Sequence, residues 1–187
     1  GRGVTILLHD TLMNNSIDRL GFAGKTMTEA EIKAQIEGQA TKLLGREVKF
    51  AEEKEGAKDD SGIKSIVFDK NDPIRVHADD GMLIVTLRAG FQQEGKEDIP
   101  TQVITIPLQF SVTDEAVIVE PGSFEVSAAD KPESAAKQLA QAGVIKKKLA
   151  SAFPKRDLQR VKRINEKKIK TVTAVTRIRS LDGWLSI

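Results

Sequence analysis

The amino-acid sequence predicts an α+β fold, with a curved antiparallel sheet of about six to eight strands packed on amphipathic N-terminal and C-terminal helices. Three observations predict it. The run Thr101 to Val112 alternates: its even positions are Gln102, Ile104, Ile106, Leu108, Phe110 and Val112, and its odd positions are mostly polar. Alternate strand side chains point to opposite faces, so this segment has one apolar face and one wet face, the mark of an antiparallel sheet covered on one side. Second, Asp80-Gly81 and Asp182-Gly183 stand between β-branched or aliphatic runs, which is hairpin chemistry. Third, residues with helical periodicity lie before and after the strand-rich middle, placed to cover its apolar face.

Each element has its own justification. Leu8, Leu12, Met13, Ile17 and Leu20 recur at steps of three and four and predict a helix over 5–20, ended by Gly21 and Gly24. Thr28-Glu29-Ala30-Glu31 is a capping box, and Ile32, Ile36, Ala40, Leu43 and Leu44 continue it as a helix over 29–44 that Gly45 stops. Val48 to Phe50 reads as a short strand, and the charged stretch 52–62 as a loop. Strands follow at Ile63–Phe68, Ile74–Ala78, Met82–Arg88, 101–112, Val117–Val119 and Phe124–Val126. Turns at Asn71-Asp72-Pro73, Glu94-Gly95 and Pro121-Gly122 punctuate them. Pro107 cannot donate to a ladder, which suggests an edge position or a bulge. Leu139, Ala142, Ile145, Leu149 and Ala152 define a helix over 134–153 that Pro154 ends. Leu158, Val161 and Ile164 suggest a short further helix. The β-branched run Thr171–Thr176 and the segment Trp184–Ile187 close the chain as strands. The expected core sets Leu12, Ile36 and Leu149 against Ile104, Ile106, Leu108 and Phe110.

A chain of 187 residues with 40% hydrophobic and 30% charged residues suits one globular domain, 1–187. The absence of cysteine excludes thiol catalysis, disulfides and thiolate metal sites. No apolar stretch reaches the roughly 20 residues of a membrane-spanning helix. Seven Phe, one Trp and no Tyr leave few stacking platforms, so nucleic acid is not the expected partner. The chain starts at Gly1 without Met or a signal peptide and reads as a piece excised from a longer protein.

Candidate chemistry is sparse. Between Val144 and Lys170 there are eleven Lys or Arg against two acids, while the first 143 residues are net acidic. Lys146, Lys147, Lys148, Arg156 and Arg160 are therefore the candidate ligand-binding residues, suited to an anionic headgroup or an acidic surface. His77 and Asp79 share one face of a strand and are weak candidates for a metal. His9 and Asp10 are adjacent on a helix and do not face each other, so capping or solvation is the expected role. Gly24-Lys25-Thr26 imitates the end of a phosphate loop, but the earlier glycine is replaced by Arg19 and no strand precedes it. Glu52, Glu53, Glu55, Asp59 and Asp60 form a mixed-charge loop. No nucleophile, base and oxyanion stabiliser converge, and no cofactor motif is present.

Three pieces combine into a resemblance: His9 to Asn15, Gly24 to Ile32, and Leu181-Asp182-Gly183-Trp184-Leu185. Together they resemble a C-terminal domain of long, exported, uncharacterised planctomycete-type bacterial proteins. The resemblance implies a periplasmic or cell-envelope location and brings no catalytic residues. A looser architectural similarity is to the tubular lipid-binding domains, in which a long helix is cradled by a curved sheet. The expectation is thus a non-enzymatic binding or structural module of an exported envelope protein. Its partners would be other domains of the same protein or an envelope partner. Two alternatives stand beside it: a carrier of an apolar, lipid-like ligand held between helices and sheet, and a metal-dependent enzyme using His77 and Asp79.

Overall fold

The computed structural model describes residues 4–44, 61–114, 116–152, 156–159, 161–166 and 169–187. The elements are β1 (Leu7–His9), α1 (Asp10–Asp18), β2 (Thr26–Met27), α2 (Glu29–Leu44), β3 (Ile63–Phe68), β4 (Ile74–Asp79), β5 (Met82–Gln93) and β6 (Ile99–Val112). They continue with β7 (Ala116–Pro121), β8 (Glu125–Ala128), α3 (Ala135–Ala152), β9 (Arg156–Gln159), β10 (Val161–Glu166), β11 (Ile169–Ala174), β12 (Arg179–Leu181) and β13 (Trp184–Ser186).

The fold is α+β, with an antiparallel sheet flanked by N- and C-terminal helices. Its spine is the long hairpin β5–β6, paired from Met82↔Gln109 to Phe91↔Ile99 with one register shift between Ala89 and Phe91. Each spine strand is long enough to carry two short strands end to end on its outer side. β4 pairs with residues 82–87 of β5, and β3 with residues 89–93. β8 pairs with residues 102–105 of β6, and β7 with residues 108–112. β2 extends the sheet beyond β3, and β9 beyond β7. Among the described residues this sheet has eight strands, and its path β2-β3-β5-β6-β7-β9 ends openly at both sides. The curved sheet expected from the sequence is therefore corrected: the sheet is neither curled nor closed. The alternation of Thr101–Val112 reports which way side chains point, not how many strands share one edge, and two neighbours in line widen a sheet without bending it into a cradle.

The junction between those neighbours explains Pro107. Its carbonyl accepts the Gly122 N–H at 2.8 Å, so its backbone faces the gap between β8 and β7, where no ladder N–H is required. Pro107 thus sits on a central strand, not at the edge or bulge that its chemistry suggests. A Cβ on Gly122 would stand 2.9 Å from Pro107 Cγ, so only glycine lets the chain pass here.

The even face of β6 is buried, with Ile104 and Ile106 fully enclosed. Leu87, Ala89 and Phe91 of β5 lie on the same face, together with Phe68 of β3 and Phe22 and Met27 from the segment before α2. Ile145 and Leu149 of α3 close over them, and Ile32 and Ile36 of α2 pack at the margin. Gln102 shares this face and is fully buried, its amide oxygen accepting from Gln138 Nε2 of α3 at 2.8 Å. Leu108 borders the cluster and Phe110 is half-buried. Phe22, Phe91, Ile145 and Leu149 are among the largest members of this cluster.

Three further expectations are corrected. The helix over 5–20 begins only at Asp10, because Leu7–His9 pair with β13, and Leu12 is 54% exposed rather than buried. The short helix through Leu158, Val161 and Ile164 is replaced by the strands β9 and β10, the latter pairing with β11 from Val161↔Ala174 to Glu166↔Ile169. A three-residue period over so short a stretch is weak against β-branched partners that complete a hairpin. Gly24-Lys25-Thr26 is a tight turn into β2. The expected strand at 48–50 and the acids at 52–60 lie outside the described residues.

The last strands form a second, smaller sheet in the order β1-β13-β12. Its register sets Leu8, Leu185 and Ser180 on one face, and Leu185 and Ser180 are buried against the main sheet.

Candidate functional site

β4 pairs on one side only, with β5, so the outward backbone groups of Val76 and Ala78 are left over. All four find partners in other elements. Asn14 of α1 donates Nδ2 to the Val76 carbonyl at 3.0 Å and accepts the Val76 N–H at 2.8 Å. Asp10 accepts the Ala78 N–H on Oδ1 at 3.0 Å. The Ala78 carbonyl accepts the N–H of Gly183, from the β12–β13 turn, at 2.7 Å. Gly183 returns its own carbonyl to the Asp10 N–H at 2.9 Å. The edge of the main sheet is thus sealed by two side chains of α1 and one turn of the small sheet. Gly183 is required at this place: its φ is +81°, and a Cβ would lie 3.2 Å from Asp10 Oδ2.

The second oxygen of Asp10 accepts from His77 Nδ1 at 2.5 Å. His77 is held protonated above its usual range chiefly by this hydrogen bond; burial opposes it next, and the negative charges of Asp10, Asp79 and Asp182 add to it. Asp79 Oδ1 meanwhile accepts the Asp80 N–H at 2.9 Å. His9 is the N-cap of α1: its Nδ1 accepts the Thr11 N–H at 3.2 Å, and its ring meets Trp184 edge-on with centroids 4.7 Å apart. An Asp–His pair could orient an imidazole for general-base work, but here both carboxylate oxygens are engaged in holding β4 and His77. Among the described residues no three His, Cys, Asp or Glu side chains are gathered to hold a metal ion, the neighbourhood of His77 and Asp79 included.

The other face of the small sheet looks outward. Its register lines up His9, Trp184 and Leu181 in one row and Leu7, Ser186 and Arg179 in the next. Leu7 is 59% exposed, Leu181 63% and Trp184 48%. Val4, Ile6, Leu12 and Leu139 are the other exposed large hydrophobics among the described residues, and Ile6, opposite Ile187, has the parity of Leu8 rather than of Leu7. Next to the second row an open cleft of about 460 Å³ is lined by Thr5, Thr176, Arg177, Arg179 and Ser186.

The three candidate lysines of α3 divide between two environments. Lys148 is buried and pairs with Glu29 at the start of α2, tying α3 to α2, whereas Lys146 and Lys147 are on the exposed side. Arg156 opens β9, and Arg160 lies outside the described residues. Reasoning from sequence places His77 beside Asp79 on one strand, but misses Asp10 as the group that joins them to the chain end. It also passes over Arg177 and Arg179, whose i, i+2 spacing beside Trp184 is the signal that could have found them.

No helix among the described residues is long and apolar enough to cross a membrane. Comparison of the chain with protein-family models, with curated proteins and with solved structures finds no match.

Proposed function

We infer that the chain is a non-enzymatic binding module that docks a partner on the outward face of the sheet β1-β13-β12. One observation carries this reading: Leu7, Leu181 and Trp184, three of the seven exposed large hydrophobics of the described residues, share that face. Exposed large apolar side chains gathered on one face mark interaction sites. Trp184 at its centre is the residue type most enriched where binding energy concentrates. The groups able to do acid–base chemistry next to it are already engaged: His9 caps α1, and Asp10 binds His77 and the Ala78 N–H of β4. The partner is another domain of the same protein or a separate envelope protein.

A photo-crosslinking residue placed at Leu181, and in a control at Leu139, tests this in cells making the protein. Position 181 is expected to give a discrete adduct and position 139 none. Equal adducts from both positions, or none from 181, would remove the reading. Turnover of any substrate that disappears in His77→Ala would replace it with an enzymatic one.

A further inference from the structure

We propose that the cleft beside Trp184 is a carboxylate-binding site, and that the partner enters it as an extended polypeptide segment carrying acidic side chains next to apolar ones. This rests on the docking reading above and names the chemistry of the partner. Arg177 and Arg179 both line the cleft and are both exposed. Among the described residues neither guanidinium meets a carboxylate. Two guanidiniums on one wall, with the hydroxyls of Thr5, Thr176 and Ser186 around them, present a dense set of donors to an oxyanion.

The strand register supplies the second half of the specificity. Arg179 and Ser186 share one row across the sheet, and Leu181 and Trp184 share the next row on the same face. Rows on one face repeat every two residues, about 7 Å apart. An extended segment laid over them offers its own side chains at that same spacing. An acidic residue opposite Arg179 then puts an apolar residue two positions away over Leu181 and Trp184. The apolar row excludes water from the edge of the ion pairs, which isolated surface pairs lack.

Charge at the far end of the face favours a short acidic segment over a polyanion. Asp182 stands in the β12–β13 turn, and Asp10 and Asp79 lie close enough to act with it on His77. A nucleic-acid backbone continuing from the arginines along the face would run into these three carboxylates. A carboxylate confined to the Arg177–Arg179 end would not.

Trp184 is the only tryptophan of the chain, so its emission reports on this face alone. The probes are a blocked peptide of alternating Leu and Asp, its Leu/Asn counterpart, and inorganic phosphate. The Leu/Asp peptide is expected to shift the emission saturably and to bind about fivefold or more tighter than the Leu/Asn peptide. Arg177→Gln combined with Arg179→Gln is expected to bring both peptides to the same weak affinity while leaving thermal unfolding unchanged, because both arginines are exposed. Equal affinity of the two peptides, or an unchanged double variant, would overturn the carboxylate site and leave apolar docking in place. Phosphate displacing the peptide at equal concentration would make this a small-oxyanion site and overturn the polypeptide assignment. Absence of any shift with either peptide would also overturn the proposal, and the crosslink from position 181 then decides separately whether the face docks anything.

Discussion

The two sheets of this molecule are held by different forces. The main sheet has an apolar face on which Ile104, Ile106 and Phe91, closed over by Ile145 of α3, leave almost no surface in water. Short turns join the ladders at its centre, β4–β5, β5–β6 and β6–β7, while β2 and β9 reach its two sides through longer connections. The small sheet joins residues from opposite ends of the chain and is bolted to the edge of β4 through Asp10, Asn14 and Gly183. Burial is non-directional and roughly additive in area, whereas a sealed backbone edge depends on a few groups at fixed positions. The main sheet should therefore yield only to gross insult, and the small sheet to single atoms.

The largest expected effect comes from Ile106→Asp. It places an unpaired charge in the fully buried face and should cost at least about 4 kcal/mol, read as a lowered denaturant midpoint. A midpoint like the parent's would mean that the other face of β6 is the core.

Asp10→Ala comes next. It leaves the Ala78 N–H and His77 without their acceptor and should cost about 2–3 kcal/mol. Amide exchange should speed up at Ser180 and Leu185 while Ile104 keeps its protection. Uniform loss of protection would mean that the two sheets open as one unit.

Gly183→Ala combines a strained positive φ with a close approach to Asp10 Oδ2. It should cost about 1 kcal/mol or more, again confined to the small sheet.

The smallest effect is that of pH. Because the folded state raises the affinity of His77 for its proton, the Asp10–His77 contact contributes fully below the ordinary histidine value of 6.5 and is lost as pH rises through the raised one. His77 is half exposed, so solvent screens much of the gain. Exchange at Ser180 and Leu185 should become faster as pH rises above the ordinary histidine value, after correction for the intrinsic rate, and His77→Gln should flatten that dependence. A flat profile in the parent would show that the hydrogen bonds to Ala78 alone hold the edge.

The same division decides how much could be read from residue order. Asp80-Gly81 and Asp182-Gly183 announce their hairpins because both positions of each turn need positive φ, and all four have it. The capping box at Thr28 and Glu31 is likewise local, and the two residues exchange the bonds their spacing predicts. The inward face of β6 follows from a period of two. By contrast, β1 looks helical because its partner β13 is at the other end of the chain. Pro107 looks like an edge residue because the exchange of β8 for β7 beside it is settled by strands that come later. At the site, His77 and Asp79 stand out singly. Their connection to Asp10 spans 67 residues and obeys no periodicity, so only the folded backbone brings it about.

The pairing of β1 with β13 has a mechanical consequence. Ile6 and Ile187 exchange both backbone hydrogen bonds at 2.9 Å, so these two residues are held side by side at one end of the β1–β13 ladder. A pull applied across that point loads an antiparallel ladder from its end, where the bonds break one after another rather than together. Tension in a larger assembly would then unzip β1 from β13 and dismantle the outward face before the central hairpin bears any load. In a single-molecule pull from these two positions, the signature is an early low-force step that releases the small sheet alone.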